Sequence, residues 1–203
     1  MKIKSYCRIT NEKVLLNGKK LKIERSTETN NTWLSDIYHS LKIQYLKFFK
    51  MDNLSKAGFL GAEMICRDIE LDNTNNHNDI AIVCFNRSSS LDDDIIYQQT
   101  IQDKNNYYPS PAVFVYTLAN IVTGEIAIRN KITGETAFYI TEKFSPEQIK
   151  ESITDILTNQ NVNGLICGWV EYFQGHCDVL MMYIERENNS KIEITKEKLL
   201  NLY

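Results

Sequence analysis

The chain predicts an α/β domain: a mixed sheet with helices on both faces, ending in an antiparallel hairpin. Three observations carry this. Strand-like and helix-like stretches alternate along most of the 203 residues. Two near-continuous apolar runs, residues 80–85 and 164–173, have the character of strands covered on both faces. The second run is followed at once by Gln174-Gly175-His176 and a further apolar stretch, 177–185. So short a turn makes that last pair antiparallel.

The elements can be justified in order. Residues 2–9 and 14–24 are strand-like, with a hairpin turn signal at Asn17-Gly18. Residues 27–32 are polar and read as a loop. From 33 to 49 the apolar residues Leu34, Ile37, Leu41, Tyr45 and Phe48 form a helical stripe. Asp52 or Asn53 then caps a second helix that runs to about Leu71. Its Gly58 and Gly61 imply close approach to a neighbour. Residues 72–78 are a polar connector and 87–90 a loop. A short helix over 91–102 carries Asp92, Asp93 and Asp94 in its first turn, where the helix dipole favours them.

Pro109 and Pro111 open the central stretch. Residues 112–122 are apolar almost all round, which predicts a buried helix. The run is too short to cross a bilayer. Residues 138–140 are β-prone. Ser145-Pro146 starts a helix to about Asn159, with Ser as N-cap, Pro first and Gln148 three after the cap. Residues 160–163 and 187–190 read as turns. Ile192 and Ile194 extend an edge strand, and Thr195 caps a final helix through Leu202.

Length suits one domain, residues 1–203. Hydrophobic residues are 43% and charged residues 24%, the balance of a globular protein. A net charge of −3 implies no basic face for nucleic acid. The start, MKIKSYCRIT, lacks the apolar core of a signal peptide, and no membrane span is visible, so a cytoplasmic protein is expected. The five cysteines are odd in number and scattered, which fits buried thiols better than disulfides or a metal.

Three stretches resemble a known family. Pro111, Asn120, Gly124, Ile126-Ala127-Ile128 and Gly134 follow in the order found in the N-terminal half of β-ketoacyl synthases, the thiolase-fold condensing enzymes. KFFKMDNLSKAGFLGAEMI (47–65) and DIAIVCFNRSSSLDDDIIY (79–97) resemble the same half, in the family's order. The resemblance implies a thiolase-like half: a mixed five-stranded sheet in the order 3-2-1-4-5, helices on both faces and a closing antiparallel hairpin. It also implies a helix layer that a second half would cover, hence an apolar partner surface.

In that family a cysteine sits at a helix N-terminus, where the dipole and free N–H groups favour the thiolate and the oxyanion. Counting along the pattern from Gly134 places that position at Lys143, between Glu142 and Phe144. None is Cys or Ser. The nearest hydroxyls are Thr141 and Ser145, and Ser145 is explained as a helix cap. The family's catalytic histidines and lysine belong to a C-terminal half that has no counterpart here. No catalytic residue is therefore assigned. Phe114, Asn120, Phe138, Tyr139 and Thr141 are candidates for an acyl pocket or an interface.

The expected role is a non-catalytic ketosynthase-like subunit in fatty acid, polyketide or aryl-polyene-type synthesis, acting through assembly or chain-length control. The second expectation is an acyl-handling subunit whose site a partner completes in trans. Partners are a second copy or a ketosynthase-like chain, and an acyl carrier protein. Residues 137–141 are the strand that would pair across a twofold axis. No cofactor or metal is expected. Glu171, His176, Cys177 and Asp178 match no zinc spacing. His39 and His77 have no evident partner. The Asp92–Asp94 run is better read as a solvated helix start than as a cation site.

Overall fold

A computed structural model of the chain describes residues 1–27, 32–72, 74–105, 107–159, 161–186 and 194–203. Parts of the loops expected over 27–32 and 160–163, the turn at 187–190 and Ile192 lie outside the described residues.

The chain opens with strand β1 (Lys2–Thr10) and the short pair β2 (Val14–Leu16) and β3 (Lys19–Lys20). Asn17 and Gly18 turn between them with φ of 49° and 78°, the positive pair that a two-residue hairpin requires. Helix α1 (Trp33–Ser40) is capped by the Thr32 hydroxyl. Lys42, at φ 51°, breaks the helical stripe, and residues 46–50 form a separate 3₁₀ turn. The helix expected over 33–49 is thus two pieces.

Helix α2 (Asn53–Asp68) starts on Asp52, whose carboxylate accepts from the Leu54 and Ser55 N–H groups at 2.8 and 3.2 Å. Strand β4 (Ile80–Asn86) follows, buried at every residue. Helices α3 (Leu91–Ile101), α4 (Pro111–Tyr116) and α5 (Ile121–Asn130) lead to strand β5 (Thr136–Ile140). Helix α6 (Pro146–Asn159) begins one residue after Ser145, as the capping pattern predicts. Strands β6 (Gly164–Phe173) and β7 (His176–Glu185) form the closing hairpin through Gln174 and Gly175, at φ 48° and 79°. Helix α7 (Lys196–Leu202) is capped by Thr195.

The strands of the described residues make one sheet of seven, in the order β3-β2-β1-β7-β6-β4-β5. β4 is parallel to both β5 and β6; the other neighbours are antiparallel. The expected mixed sheet is there, but with seven strands rather than five. The expected order 3-2-1-4-5 is also wrong. β1 pairs with β7, not β4, so the closing hairpin lies between the first strand and the parallel centre.

On one face α2 lies across β1, β6 and β7 with α1 and α5 beside it. Twelve of its sixteen residues are buried, so α2 is the helix enclosed on nearly all sides. Its glycines make this possible. A Cβ on Gly58 would stand 2.3 Å from a Val122 methyl, and one on Gly61 3.2 Å from Met181 Cβ. The other face is covered by α6 and α7, whose Ile149, Ile153, Leu157 and Leu199 pack on Val83, Leu165 and Leu180.

Two expectations about burial fail. The run 112–122 is not one buried helix: it breaks at Thr117–Asn120, and α4 has no buried residue. Phe114 is 51% exposed and touches the Tyr97 ring of α3, with centroids 5.3 Å apart. Hydrophobicity reports what a segment can bury, not whether this chain supplies the cover. Helix α6, which follows β5, also lacks an apolar outer face. Glu147, Lys150, Glu151, Thr154, Asp155 and Thr158 line it. Five of the exposed apolar side chains lie instead on α3 and α4: Leu91, Ile95, Ile96, Phe114 and Val115.

Candidate functional site

The chain leaves β5 for α6 at the C-terminal end of the parallel strands, where open α/β sheets present their sites. Thr141 N–H donates to the Asn86 carbonyl at 2.8 Å, the last rung of the β4–β5 ladder. The Thr141 hydroxyl turns back to the Lys143 carbonyl at 3.0 Å. Lys143 points to solvent. The Ser145 hydroxyl accepts the Gln148 N–H at 3.4 Å, so it acts as the helix cap. At this β5–α6 turn the chain presents the exposed ammonium of Lys143 and the aromatic ring of Phe144.

That ring, Phe144, is the centre of a tight group. It meets Trp169 of β6 edge-on, with centroids 6.0 Å apart, and stacks on Tyr203 at 3.9 Å with the planes 5° from parallel. Arg8 of β1 also lies over the Tyr203 ring, its guanidinium carbon 4.4 Å from the ring centroid. Arg8 Nε donates to the main-chain oxygen of Tyr203 at 2.8 Å, and Nη1 donates to the carbonyl of Val179 at 3.0 Å. Arg8 also pairs with Asp178 of β7, which accepts the Tyr203 hydroxyl. Burial, the hydrogen bond to Asp178 and its charge push the Tyr203 phenol up, so it remains a donor.

Glu171 stands opposite Asp178 in the β6–β7 ladder and is buried. Its Oε2 accepts the N–H groups of Arg87 and Ser88 at 2.7 and 3.2 Å. Its Oε1, like Trp169 Nε1, has no hydrogen-bond partner among the described residues. Sequence reasoning singled out Glu171 and Asp178 only as parts of a metal spacing, and missed Arg8, Trp169 and Tyr203. One signal was available: Arg8 falls between Cys7 and Ile9 in a strand, and a cation at a covered position needs a partner.

A second polar group joins α2 to α3. Asp52 and Asp93 are within hydrogen-bond reach of each other, with Lys56, Asp92, Asp94 and Tyr116 around them. The Asp93 carboxyl is pushed up to about 8, first by burial, then by the charge and hydrogen bond of Asp52 and the charges of Asp92 and Asp94. A carboxyl whose folded pKa exceeds its unfolded value of about 4 stabilises the fold fully below that value. The stabilisation is lost as pH rises through the folded pKa. The melting temperature is therefore expected to fall between pH 5 and pH 9. Asp93→Asn should reduce that fall by about 2–4 °C. Parallel melting curves for the two proteins would remove the pair from this role.

The remaining candidates are spread over the surface. Asn120 is exposed at the α4–α5 junction. Phe138 packs toward the α2 face. Tyr139 stacks on Phe85 across β4 at 5.2 Å on the other face. His39 lies on α1, and the His77 ring contacts the Asp72 carbonyl at 2.6 Å. All five cysteines are buried, and burial pushes the thiols of Cys7, Cys84 and Cys177 up to about 12. Among the described residues, no group of three or more His, Cys, Asp or Glu is placed to hold a metal ion. None of their helices is long and apolar enough to cross a membrane.

No family model matches the chain, and no curated protein matches it. Solved structures do. The ishigamide ketosynthase/chain length factor superposes with a TM-score of 0.69 at 11% identity, covering 93% of this chain and 63% of that one. The complex of the ketosynthase ApeO with its chain length factor ApeC from Xenorhabdus doucetiae gives 0.61 at 12% identity, over 92% and 79%. The AntDE:AntF complex, a type II polyketide synthase acyl-carrier protein with its ketosynthase, gives 0.58 at 12%, over 91% and 62%. The chain spans less than two thirds of the first and third of these proteins. The fold is the thiolase-type fold of ketosynthases and their chain length factors.

Proposed function

We propose that the chain is a non-catalytic ketosynthase-like subunit. It serves acyl-chain synthesis of the polyketide, fatty acid or aryl-polyene type by assembling with a partner or setting chain length. The observation that carries this is the make-up of the β5–α6 turn, which the family pattern aligns with the nucleophile position near Lys143. Tyr203 stacks over Phe144 there, and the hydroxyls of Thr141 and Ser145 are engaged with backbone. That engagement favours the non-catalytic reading over a site completed in trans.

The partner is a second copy or a ketosynthase-like chain, with an acyl carrier protein delivering to the pair. Support comes from the free edge of β5 and the exposed apolar side chains of α3 and α4. Because Thr141 N–H faces β4, strand alternation turns the Phe138 and Ile140 N–H groups outward. Tyr139 N–H faces inward, so Tyr139→Pro would damage the sheet itself. Ile140, 59% exposed, is the better probe. An unpaired strand edge of this kind is a hazard unless something pairs with it.

Light scattering of the purified chain, alone and mixed with a polyketide-type ketosynthase, tests the reading. A dimer or a mixed complex is expected, with no condensation of acyl and malonyl groups by the chain alone. Ile140→Pro and Phe114→Asp should weaken the assembly while the isolated chain stays folded. A monomer under both conditions would refute the pairing; condensation by the chain alone would refute the non-catalytic role.

A further inference from the structure

One helix of the fold is held down by an acid rather than by apolar burial. α3 leans chiefly on α4, and Asp93 is its one buried residue. Its Leu91, Ile95 and Ile96 are 43%, 42% and 46% exposed. Beneath α3 lies a cavity of about 200 Å³, lined by Leu54, Asp93, Ile95, Ile96, Tyr172 and Gln174. The ties across it are polar. Asp93 meets Asp52 at the start of α2, and Gln174 N–H donates to the Asp92 carboxylate at 2.9 Å. The Ser90 hydroxyl, just before α3, donates to the Thr117 carbonyl at 2.5 Å. The groups that face Asp93 are Asp52 and Lys56 from α2, Tyr116 from α4, and Asp92 and Asp94 on α3 itself. Lys47 is engaged elsewhere, with Glu125 at 2.7 Å. Two touching carboxyls thus face one ammonium, that of Lys56, so they hold one proton between them. Asp52 already accepts the Leu54 and Ser55 N–H groups, which favours its charged form and leaves the proton on Asp93.

We infer that α3 is a lid on this cavity, latched by a proton that Asp93 holds toward Asp52. With the proton in place Asp93 donates to Asp52, a hydrogen bond to a charged acceptor. When the proton leaves to water, two carboxylates stand in contact beside Asp92 and Asp94, with Lys56 as the facing cation. An ionised Asp93 is better hydrated than covered, and α3 has little buried apolar surface to oppose its release. The direction in pH follows. In the closed lid Asp93 is pushed up to about 8, first by burial and then by the charge of Asp52. In the open lid it returns to about 4. Closure is therefore strongest below the lower value, weakens as pH rises between the two, and levels off above the higher. The lid is a property of the isolated chain, so it and the pairing with a ketosynthase can fail separately.

The test is amide hydrogen exchange of the full chain, read by NMR at pH 5.5 and pH 8.5 and corrected for the intrinsic pH dependence of exchange. Protection of residues 95–101 is expected to fall at least ~10-fold over that range relative to β4. Asp93→Asn keeps a donor for Asp52 and cannot ionise, so its protection should hold within about twofold. Asp94→Asn removes an exposed charge from the same turn, leaves the latch in place, and should still show the fall. Three results would overturn the inference. The first is a wild type whose α3 loses no more protection than β4. The second is an equal fall in wild type and Asp93→Asn. The third is an Asp94→Asn variant as flat as Asp93→Asn, which would assign the effect to the charge of the helix start and not to a latch. If Asp93→Asn does not fold, carbon NMR titration of the wild-type Asp93 carboxyl decides. A midpoint above about 6.5 supports the latch, and a lower one overturns it.

Discussion

Gly134→Ala is expected to lower the melting temperature by about 6–12 °C, a loss of roughly 3 kcal/mol. Gly134 lies where the chain crosses from α5 to β5, laid against the start of β4. His77 and Ile132 bridge the two segments, and Thr133 N–H donates to the His77 carbonyl at 2.8 Å. An added Cβ would stand 2.2 Å from the Ile80 carbonyl oxygen and 3.2 Å from that of Asn78. Both obstacles are backbone, and β4 is buried between β5 and β6, so neither yields cheaply. Gly124→Ala is the matching control. It lies within α5 with nothing within 4 Å of the new methyl, and should stabilise the helix by about 0.5–1 kcal/mol. Near-equal melting of the Gly134 variant and the wild type would contradict the close approach.

The second large effect is expected at Glu63. This carboxylate, 3% exposed on α2, accepts from Arg67 at 2.7 and 2.8 Å and from Arg129 of α5 twice at 2.8 Å. Burial alone would raise its pKa. The hydrogen bonds and charges of Arg129 and Arg67 outweigh that and hold the carboxyl below the usual range. Its stabilisation is therefore present above the unfolded pKa and lost as pH falls through the folded one. Glu63→Gln should cost about 3 kcal/mol at pH 7, because it leaves the partly covered Arg129 without its counter-ion. The variant should also lose less stability than the wild type between pH 5 and pH 3. Urea titrations at pH 7 and pH 3.5 measure both. A variant whose unfolding midpoint is unchanged at pH 7 would show that the ion pairs contribute little.

What the sequence disclosed was local chemistry. The Asn17-Gly18 turn, the Ser145-Pro146 helix start and the Thr195 cap are each written in two or three adjacent residues. The alternation of strands and helices and the closing hairpin follow from periodicity in the same way. What it hid was decided at long range. Residues 112–122 look like a core helix because nothing in them tells that Ser90 would tie Thr117 down on the surface beside α3. Gly58 and Gly61 disclosed that α2 comes close to a neighbour, but not that it is enclosed on nearly all sides, because small residues add little hydrophobic signal. The position of β1 between β2 and β7 was equally invisible, since each ladder is specified by both strands together. At the site, the absence of a cysteine near Lys143 was legible. The group that fills the place was not, because Arg8 and Tyr203 meet only in the folded chain, 195 positions apart.

The placement of β1 sets the schedule on which the molecule can form. β1 finds one neighbour, β2, almost at once, but its other neighbour is β7, which starts at His176. A nascent chain leaving the ribosome must therefore carry an open strand edge through most of its synthesis. The sheet cannot be joined from β1 to β4 until the closing hairpin has emerged and inserted between them. Folding of the core is for that reason a late, nearly all-at-once event, and the emerging chain is a natural client for chaperones that shield strand edges.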